Sequence, residues 1–532
     1  MLEKLRSRIA RVIAPQPKSQ QRQYAGARAS RLTSDWNPSN GSADTELVSS
    51  LTQLRSRSRS LIRDASYAKR AKVIVVNNVI GTGIGMQAQV ITSRSELNDR
   101  VNNDIERAWN RWTKADCCHT GGRLAFSMLE RAAMAQVFEA GEVFIRKYSS
   151  RFGRSEVPYS LELIEAERIA DELTMAGITA NGDNQIRMGI EVDKFYRPVA
   201  YYIRQRHPSE YRWGTQGANQ YERVPADQII HLAIVERWPQ TRGEPWLHAA
   251  LRRLNDMDGY SEAEIIRARA QATNVGAIET PEDSDAWAEA MDDGTYEMEF
   301  EAGTVKRLLP GEKLNAAPVN APNPAMDPFM RYMLREVAAG IGCSYEALSR
   351  DYSQSNYSSS RMGLLDDRDL WRVLQSWFIT DFREKIHNEW LRQAVLSRAI
   401  TSIGIEDYAN NIEKFEAVRF KPRGWMWVDP TKEVAAYKEA VRCGFTTVSD
   451  VIAATAGGQD IEDILTTRRR ELDLMEKMDL EFVTDPDAFD DKGSEQVEAT
   501  ATDVDPPDDG TSTNPTQQKD PPSRVFSIAR PR

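Results

Sequence analysis

The chain has 532 residues, 41% hydrophobic with twelve tryptophans, and a net charge of -10, which allows several domains with substantial cores. No run of about 20 apolar residues occurs, which excludes a membrane-spanning helix, and the basic, amphipathic residues 1–14 lack the apolar stretch and cleavage site of a secretory signal. Cys117 and Cys118 are adjacent while Cys343 and Cys443 lie far away, which is no disulfide framework and fits a reducing cytoplasm.

Residues 1–72 carry fifteen Lys/Arg against five Asp/Glu. This basic head reads either as a surface for nucleic acid or an acidic partner, or as a solvated arm. Within it, 15–50 is rich in Ser, Gln, Asn and Pro and is expected to be extended and partly mobile. A helix is expected from Ser49 through Leu54, Leu61, Tyr67 and Ala71, ended by the β-branched stretch 73–79. Gly81-Thr82-Gly83-Ile84-Gly85 is no dinucleotide fingerprint, because Met86 stands where the third glycine is required; it reads as a turn into a strand at 86–91. A helix at 96–112 follows, with Val101, Ile105, Ala108, Trp109 and Trp112 on one stripe. Cys117-Cys118-His119 has no CxxC or HxxxH partner, so buried or idle thiols are expected rather than a metal. After a second helix at 124–139 the period changes to two, and strands are expected at 143–145, 161–164, 186–190, 200–203 and 229–234. The fold class is α+β.

Pro245 opens a helical pattern to Thr273 with Leu247, Leu251, Leu254, Met257 and Ile265. The acidic stretch 279–301 turns strand-like at 296–300 and closes in a turn at 309–312; 315–324 is Pro/Asn-rich and extended. Asp327-Pro328 reads as a capped helix start, with Phe329, Met330, Met333, Leu334, Val337 and Ile341 on one stripe and Arg331 and Arg335 on another face. A polar loop at 349–360 precedes a very long helix at 361–399. A strand at 416–422 leads to Trp425-Met426-Trp427, after which Asp429-Pro430 caps a helical region, 431–478, broken at Gly457-Gly458. From Glu476 onward six basic residues face fourteen acidic ones, and beyond Glu481 the Pro-rich composition predicts disorder.

Several runs between 230 and 432 resemble the lambda-type family of bacteriophage portal proteins. They are Trp238-Pro239-Gln240-Thr241-Arg242-Gly243-Glu244-Pro245, Leu309-Pro310-Gly311-Glu312-Lys313 with Ala321-Pro322-Asn323-Pro324, and the most specific stretch, 338–352 (AAGIGCSYEALSRDY). Asn356-Tyr357-Ser358-Ser359-Ser360-Arg361 and Gly424-Trp425-Met426-Trp427-Val428-Asp429-Pro430 follow in order, and 63–71 and 79–83 extend the likeness. The resemblance implies a multi-domain portal fold assembling as a ring: a basic arm (1–48), a wing (49–243), a first stem helix (244–275), a clip (276–325), a second stem helix (326–348), a tunnel loop (349–360), a tunnel helix returning to the wing (361–429), a crown (430–478) and a tail (479–532). It further implies about twelve subunits around one capsid vertex, joined head to tail as any larger cyclic ring must be. The implied partners are double-stranded DNA passing without sequence specificity, the terminase large subunit, a head-completion or adaptor protein, and the major capsid and scaffold proteins. The implied location is the virion, after assembly in the host cytoplasm; no cofactor, metal or membrane is implied.

A channel for sliding DNA should avoid base readout and deep phosphate wells, and an acidic body suits loose passage better than tight binding. The neutral side chains of Ser353, Gln354, Ser355, Asn356, Tyr357, Ser358 and Ser359 would form a collar around a ring; taken alone, they read equally as a polar surface loop. Arg331 and Arg335 would line the stem or pair with Glu336 and neighbouring acids. Lys306, Arg307 and Lys313 would serve as a DNA collar or as counter-charges to Glu297, Glu299 and Glu301, the acids expected to meet a basic partner at the clip. The enzyme alternative, a metal-dependent nuclease, rests on Asp366, Asp367 and Asp369. On a helix 367 turns away from 366, and Arg361, Arg368 and Arg372 lie close by, so a solvated helical face is expected. No phosphate-binding loop with Lys-Ser/Thr occurs. A shell-forming capsid protein is the remaining alternative, disfavoured by the long helices.

Overall fold

A computed structural model describes residues 40–92, 97–174, 184–213, 221–273, 277–279, 313–315, 323–425, 430–455 and 461–478. The described residues form the expected mixture of helix and sheet, divided into two compact units, one holding those within 1–69, 136–147 and 163–341 and the other those within 70–135, 148–162 and 342–532.

In the first unit the opening helix is Ala43–Asp64, starting ahead of the expected Ser49 because the Ser42 hydroxyl accepts the Thr45 N–H at 3.3 Å and Asp44 and Glu46 sit at the positive helix end. It buries Leu47, Leu51, Arg55, Ser58 and Ile62 along one stripe. An antiparallel meander follows in sequence order: Gln185–Arg187, Ile190–Val192, Pro198–Arg204 and Tyr221–Pro225. The single strand expected at 186–190 is instead two, folded at Met188 and Gly189, both with positive φ. Tyr221–Pro225 was not expected, since its Glu-Arg pair faces solvent and only Val224 is buried. Glu142–Tyr148 pairs antiparallel with Ile229–Ala233, and Phe144, Ile169, Ile190, Tyr201, Ile203 and Val224 fill the core beside them.

Two long helices of this unit form an antiparallel hairpin. The first runs Leu251–Thr273, not from Pro245, because 246–250 is a turn held by tertiary bonds: the Trp246 N–H donates to the Phe138 carbonyl at 3.2 Å and its indole to the Ile341 carbonyl at 2.9 Å. The second runs Met326–Ile341. Along them Arg253 meets Glu336 at 2.8 Å, the Tyr260 and Phe329 rings stand 4.9 Å apart, and Asn323 donates to Glu264 at 3.2 Å. At the Trp246 end a Cβ on Gly340 would lie only 3.7 Å from that of Ala250. Asp327 does not cap this helix; it lies in the first turn and accepts from Arg331 at 3.1 Å. The outgoing and returning chain pair as short antiparallel strands, Ala277–Glu279 with Lys313–Asn315. The strand expected at 296–300 and the turn at 309–312 lie outside the described residues.

In the second unit, the β-branched stretch 73–79 does not end a helix: Ser66–Val79 is a helix of its own, with Ile74, Val75, Val76 and Val79 buried by tertiary packing that outweighs their weak helix preference. Gly85–Ala88 pairs antiparallel with Val418–Lys421. The Asp99–Trp112 helix buries the whole expected stripe, and an unforeseen short helix, Ala115–Cys118, precedes Phe126–Ala140. The expected helix at 361–399 is Tyr357–Phe378, a π-helical turn Ile379–Arg383, and Glu384–Leu396. Trp109, Trp112, Phe126, Phe382 and Trp390 pack as one aromatic cluster, with Trp109 edge-on to Trp390 at 4.8 Å. The π turn aims Arg383 into it, 5.0 Å over the Phe126 ring and 3.1 Å from the buried Glu130 carboxylate. The last helices, Pro430–Arg442, Val448–Thr455 and Ile461–Met478, include a break at Gly444 (φ +75°) within the stretch expected to be helical up to Gly457. Asp429 and Gly457-Gly458 lie outside the described residues.

Candidate nucleic-acid interface

The polar segment expected as a loop over 349–360 is shorter. Ser349 ends the helix Tyr345–Ser349, Arg350 closes it in left-handed conformation (φ +59°), and the next helix starts at Tyr357. The remaining turn is self-bonded: Asp351 accepts the Ser353 N–H at 3.0 Å, and the Tyr352 carbonyl accepts from the Ser355 N–H and hydroxyl. Asn356 is a capping residue. Its amide oxygen takes the Ser359 N–H at 2.8 Å while the Ser359 hydroxyl takes the Asn356 N–H at 3.1 Å, a reciprocal box. Tyr357, Ser358 and Ser359 therefore belong to the first helical turn. Ser353, Gln354, Asn356, Ser358 and Ser359 are exposed, so this segment presents a neutral, hydrogen-bonding surface. Tyr352 and Met362, 60% and 73% exposed, flank it; neither was singled out from the sequence, although Tyr352 closes the 338–352 run.

Of the other charges expected to face DNA or a partner, Arg331 bonds Asp327, Arg335 is exposed, and Glu336 takes Arg253 rather than serving these two. Lys306, Arg307, Glu297, Glu299 and Glu301 lie outside the described residues. The Lys313 backbone pairs with Glu279 in the short two-stranded element.

The three aspartates do not share one site. Both oxygens of the buried Asp367 are engaged by Ser344, from its N–H at 2.7 Å and its hydroxyl at 2.6 Å, which fixes the start of the 345–349 helix. Asp367 therefore departs from the solvated face expected of it, whereas Asp366 is exposed and Asp369 pairs with Arg372 at 2.8 Å. Cys118 donates weakly to the Thr113 and Leu124 carbonyls, and burial pushes its thiol up to about 12, far from the thiolate a metal requires. Among the described residues, possible ligand atoms come together at Glu165, Glu167 and His207 and at Glu236, Glu244 and His248, with Glu167 paired to Arg59 at 2.9 Å.

No motif or spacing marks the charge centre to which the 238–245 run contributes Arg242 and Gly243. The fully buried Glu142 carboxylate receives Arg55 at 2.5 Å, Arg242 at 2.6 Å, His231 at 2.8 Å and the Gly243 N–H at 2.9 Å. Arg242 also donates to the carbonyls of Met188 and Ala166, and Arg55 to that of Ala140. Burial pushes the Glu142 carboxyl up, but the two guanidinium groups and the His231 bond outweigh it and hold it well below the usual carboxylate range. Gly141 and Gly243 cross so closely that a Cβ on Gly243 would stand 2.2 Å from the Gly141 oxygen. Beside it, Asp44 takes the Thr241 N–H and hydroxyl at 2.7 and 2.6 Å and Arg187 at 3.0 Å. The 238–245 run thus sets the frame from which the two-helix hairpin departs.

The family model for the phage portal protein of the lambda family matches residues 29–375. The probable portal protein of Halomonas phage phiHAP-1 is 28% identical over 456 residues, covering 83% of this chain and 85% of that protein. The portal protein of Escherichia phage N15 and portal protein B of Escherichia phage lambda are each 22% identical, covering 87% of this chain and 93% and 92% of theirs. Among solved structures, the necks of empty and native gene transfer agent particles, with C6 and C12 symmetry, each cover 75% of this chain and 93% of theirs at 14% and 13% identity, both with a TM-score of 0.40. With 347 consecutive residues inside the family match, this chain belongs to the lambda family of phage portal proteins.

Proposed function

We propose that the chain is one subunit of a head-tail connector ring of about twelve copies, closed through head-to-tail contacts at one capsid vertex. Double-stranded DNA would pass through it during packaging and ejection, and the role is structural rather than catalytic. The observation that carries this reading is the family match across 29–375. In this reading the two-helix hairpin is the stem and the 280–312 segment between its paired strands belongs to the clip. The clip acids Glu297, Glu299 and Glu301 would meet a basic face of the terminase or of a head-completion protein. Lys306, Arg307, Lys313, Arg331 and Arg335 would be weak collars along the channel.

The exposed turn from Ser353 to Asn356 supplies the neutral contact surface. Repeated around a ring, its hydroxyl and amide groups can exchange bonds with successive phosphates without trapping them. The test uses Ser353→Lys/Ser355→Lys in full-length chain, with ring formation verified by electron microscopy. Packaged DNA per capsid should fall, and more steeply at low salt, since each added lysine contributes a phosphate contact in every copy. Particles that package and retain DNA like the parent at both salt concentrations would remove this turn from the channel. A purified chain that stays monomeric and cuts DNA with Mg²⁺ would overturn the portal reading as a whole.

A further inference from the structure

The tight turn joining Ile190–Val192 to Pro198–Arg204 is built to display aromatic rings. Asp193 accepts the N–H groups of Phe195 and Arg197 at 2.8 and 2.9 Å, which fixes the turn, and Tyr196 at its tip has φ +63°. A bulky residue rarely adopts that left-handed conformation, and such strain recurs where a side chain must be aimed. Tyr196 is aimed at Trp238, edge to face at 6.3 Å, and Arg187 lies 4.5 Å over its ring. Phe195 and Trp238 are 72% and 69% exposed, and Val235 beside them 50%. Tyr196 and Trp238, together with Ile190, Val192 and His231, line a cavity of about 180 Å³. A cavity of roughly 150 Å³ is enough for a benzene ring, so this slot has room for one phenyl side chain. Next in sequence to the lining residues, Lys194 and Arg197 are exposed without a carboxylate partner among the described residues, while Arg237 reaches Glu46 at 3.6 Å and Glu236 supplies an opposing charge.

The stretch 479–491, Asp-Leu-Glu-Phe-Val-Thr-Asp-Pro-Asp-Ala-Phe-Asp-Asp, has the complementary chemistry: two phenylalanines among six acids and no base. Farther on, 492–523 contains no aromatic residue. We propose that the Tyr196–Trp238 slot holds a phenylalanine of the 479–491 segment of a neighbouring copy, with the flanking carboxylates meeting Lys194 and Arg197. Ring insertion supplies the anchor, as aromatic hot spots do, and the charges orient the strand. The inference rests on the multi-copy assembly proposed above. Its consequence is a tether from the end of one subunit's last helix to the next subunit, which would add avidity to ring closure.

The experiment uses full-length chain carrying Phe489→p-benzoyl-phenylalanine, and separately the same probe at Phe482, mixed with isotope-heavy chain that lacks the probe. After irradiation, cross-linked peptides are mapped by mass spectrometry and the same sample is imaged. The expected product joins the light probe to heavy peptides spanning 190–198 or 231–240. Its yield should fall roughly tenfold with Trp238→Ala in the heavy chain and substantially with Lys194→Glu/Arg197→Glu, both exposed positions that tolerate exchange. Rings that give cross-links elsewhere, or only within one copy, overturn the docking and leave the portal reading intact. Monomers that give no cross-copy product overturn both.

Discussion

Replacing Glu142 by glutamine should be among the most damaging conservative changes in this chain. The substitution keeps the shape but leaves Arg55 and Arg242, each about 1% exposed, without a counter-ion. It also turns an amide NH₂ toward a site lined by donors from Arg55, Arg242, His231 and Gly243. Removing one partner of a buried ion pair costs about 3–5 kcal/mol, a large part of a total stability on the order of 5–15 kcal/mol. Urea unfolding followed by circular dichroism at neutral pH would measure it. Glu142→Gln/Arg242→Met should cost less than the sum of its single variants by about 1–3 kcal/mol, since the second change removes one stranded charge. The pH dependence follows from the depressed carboxyl: its contribution is present above the unfolded value of about 4.3 and is lost as pH falls toward the folded one. Acidification below that point should therefore destabilise the parent more than Glu142→Gln. A Glu142→Gln protein within about 1 kcal/mol of the parent, with additive double-variant behaviour, would refute the assignment of this centre as a charge-balanced clamp.

Glu130 should show the opposite sign: burial, opposed by Arg383 and the Ile84 N–H, raises its carboxyl to about 7. The parent should lose stability as pH rises from about 4.3 through 7, and Glu130→Gln should flatten that slope in melting curves taken across the range. Asn356→Ala should cost about 1 kcal/mol by thermal melting through loss of the helix cap, whereas Asn356→Asp should retain it. Gly243→Ala, which drives a methyl into the Gly141 carbonyl, should cost about 4 kcal/mol or more. Gly340→Ala, where the new methyl meets Ala250 at ordinary contact distance, should be neutral or stabilising by up to about 1 kcal/mol.

Much of the architecture could be read from periodicity. The stripe from Val101 to Trp112 is buried as its spacing requires, and the 143–145, 200–203 and 229–234 strands lie where alternation puts them. Errors arose where tertiary contacts overrule local preference. The 73–79 stretch stays helical because the core takes Ile74, Val75, Val76 and Val79, and 246–250 stays a turn because Trp246 is bonded at both its N–H groups. The candidate interface was legible as a polar run, but not its division into a capped helix and a four-residue turn, which depends on the Asn356–Ser359 reciprocity. The Glu142 centre had no sequence signal, since Arg55 lies 87 residues before Glu142 and His231 lies 89 after it, and only the folded backbone brings them together with Arg242. The π turn was equally silent: nothing in Ile379-Thr380-Asp381-Phe382-Arg383 departs from a helical pattern until Arg383 is seen to need Glu130.

The fixed antiparallel register of Leu251–Thr273 against Met326–Ile341 also dictates how such a chain can change in length over evolution. One residue inserted between Arg253 and Tyr260 would rotate everything beyond it by about 100° and carry Tyr260 off Phe329 while Arg253 stayed on Glu336. Seven residues, close to two full turns, nearly restore the facing, but only when the opposite helix gains the same block. Insertions between the strands 277–279 and 313–315 disturb no such alignment, because those strands are already joined residue to residue. Relatives should therefore differ freely in the number of residues over 280–312, and in the hairpin itself only by matched blocks that lengthen both helices together.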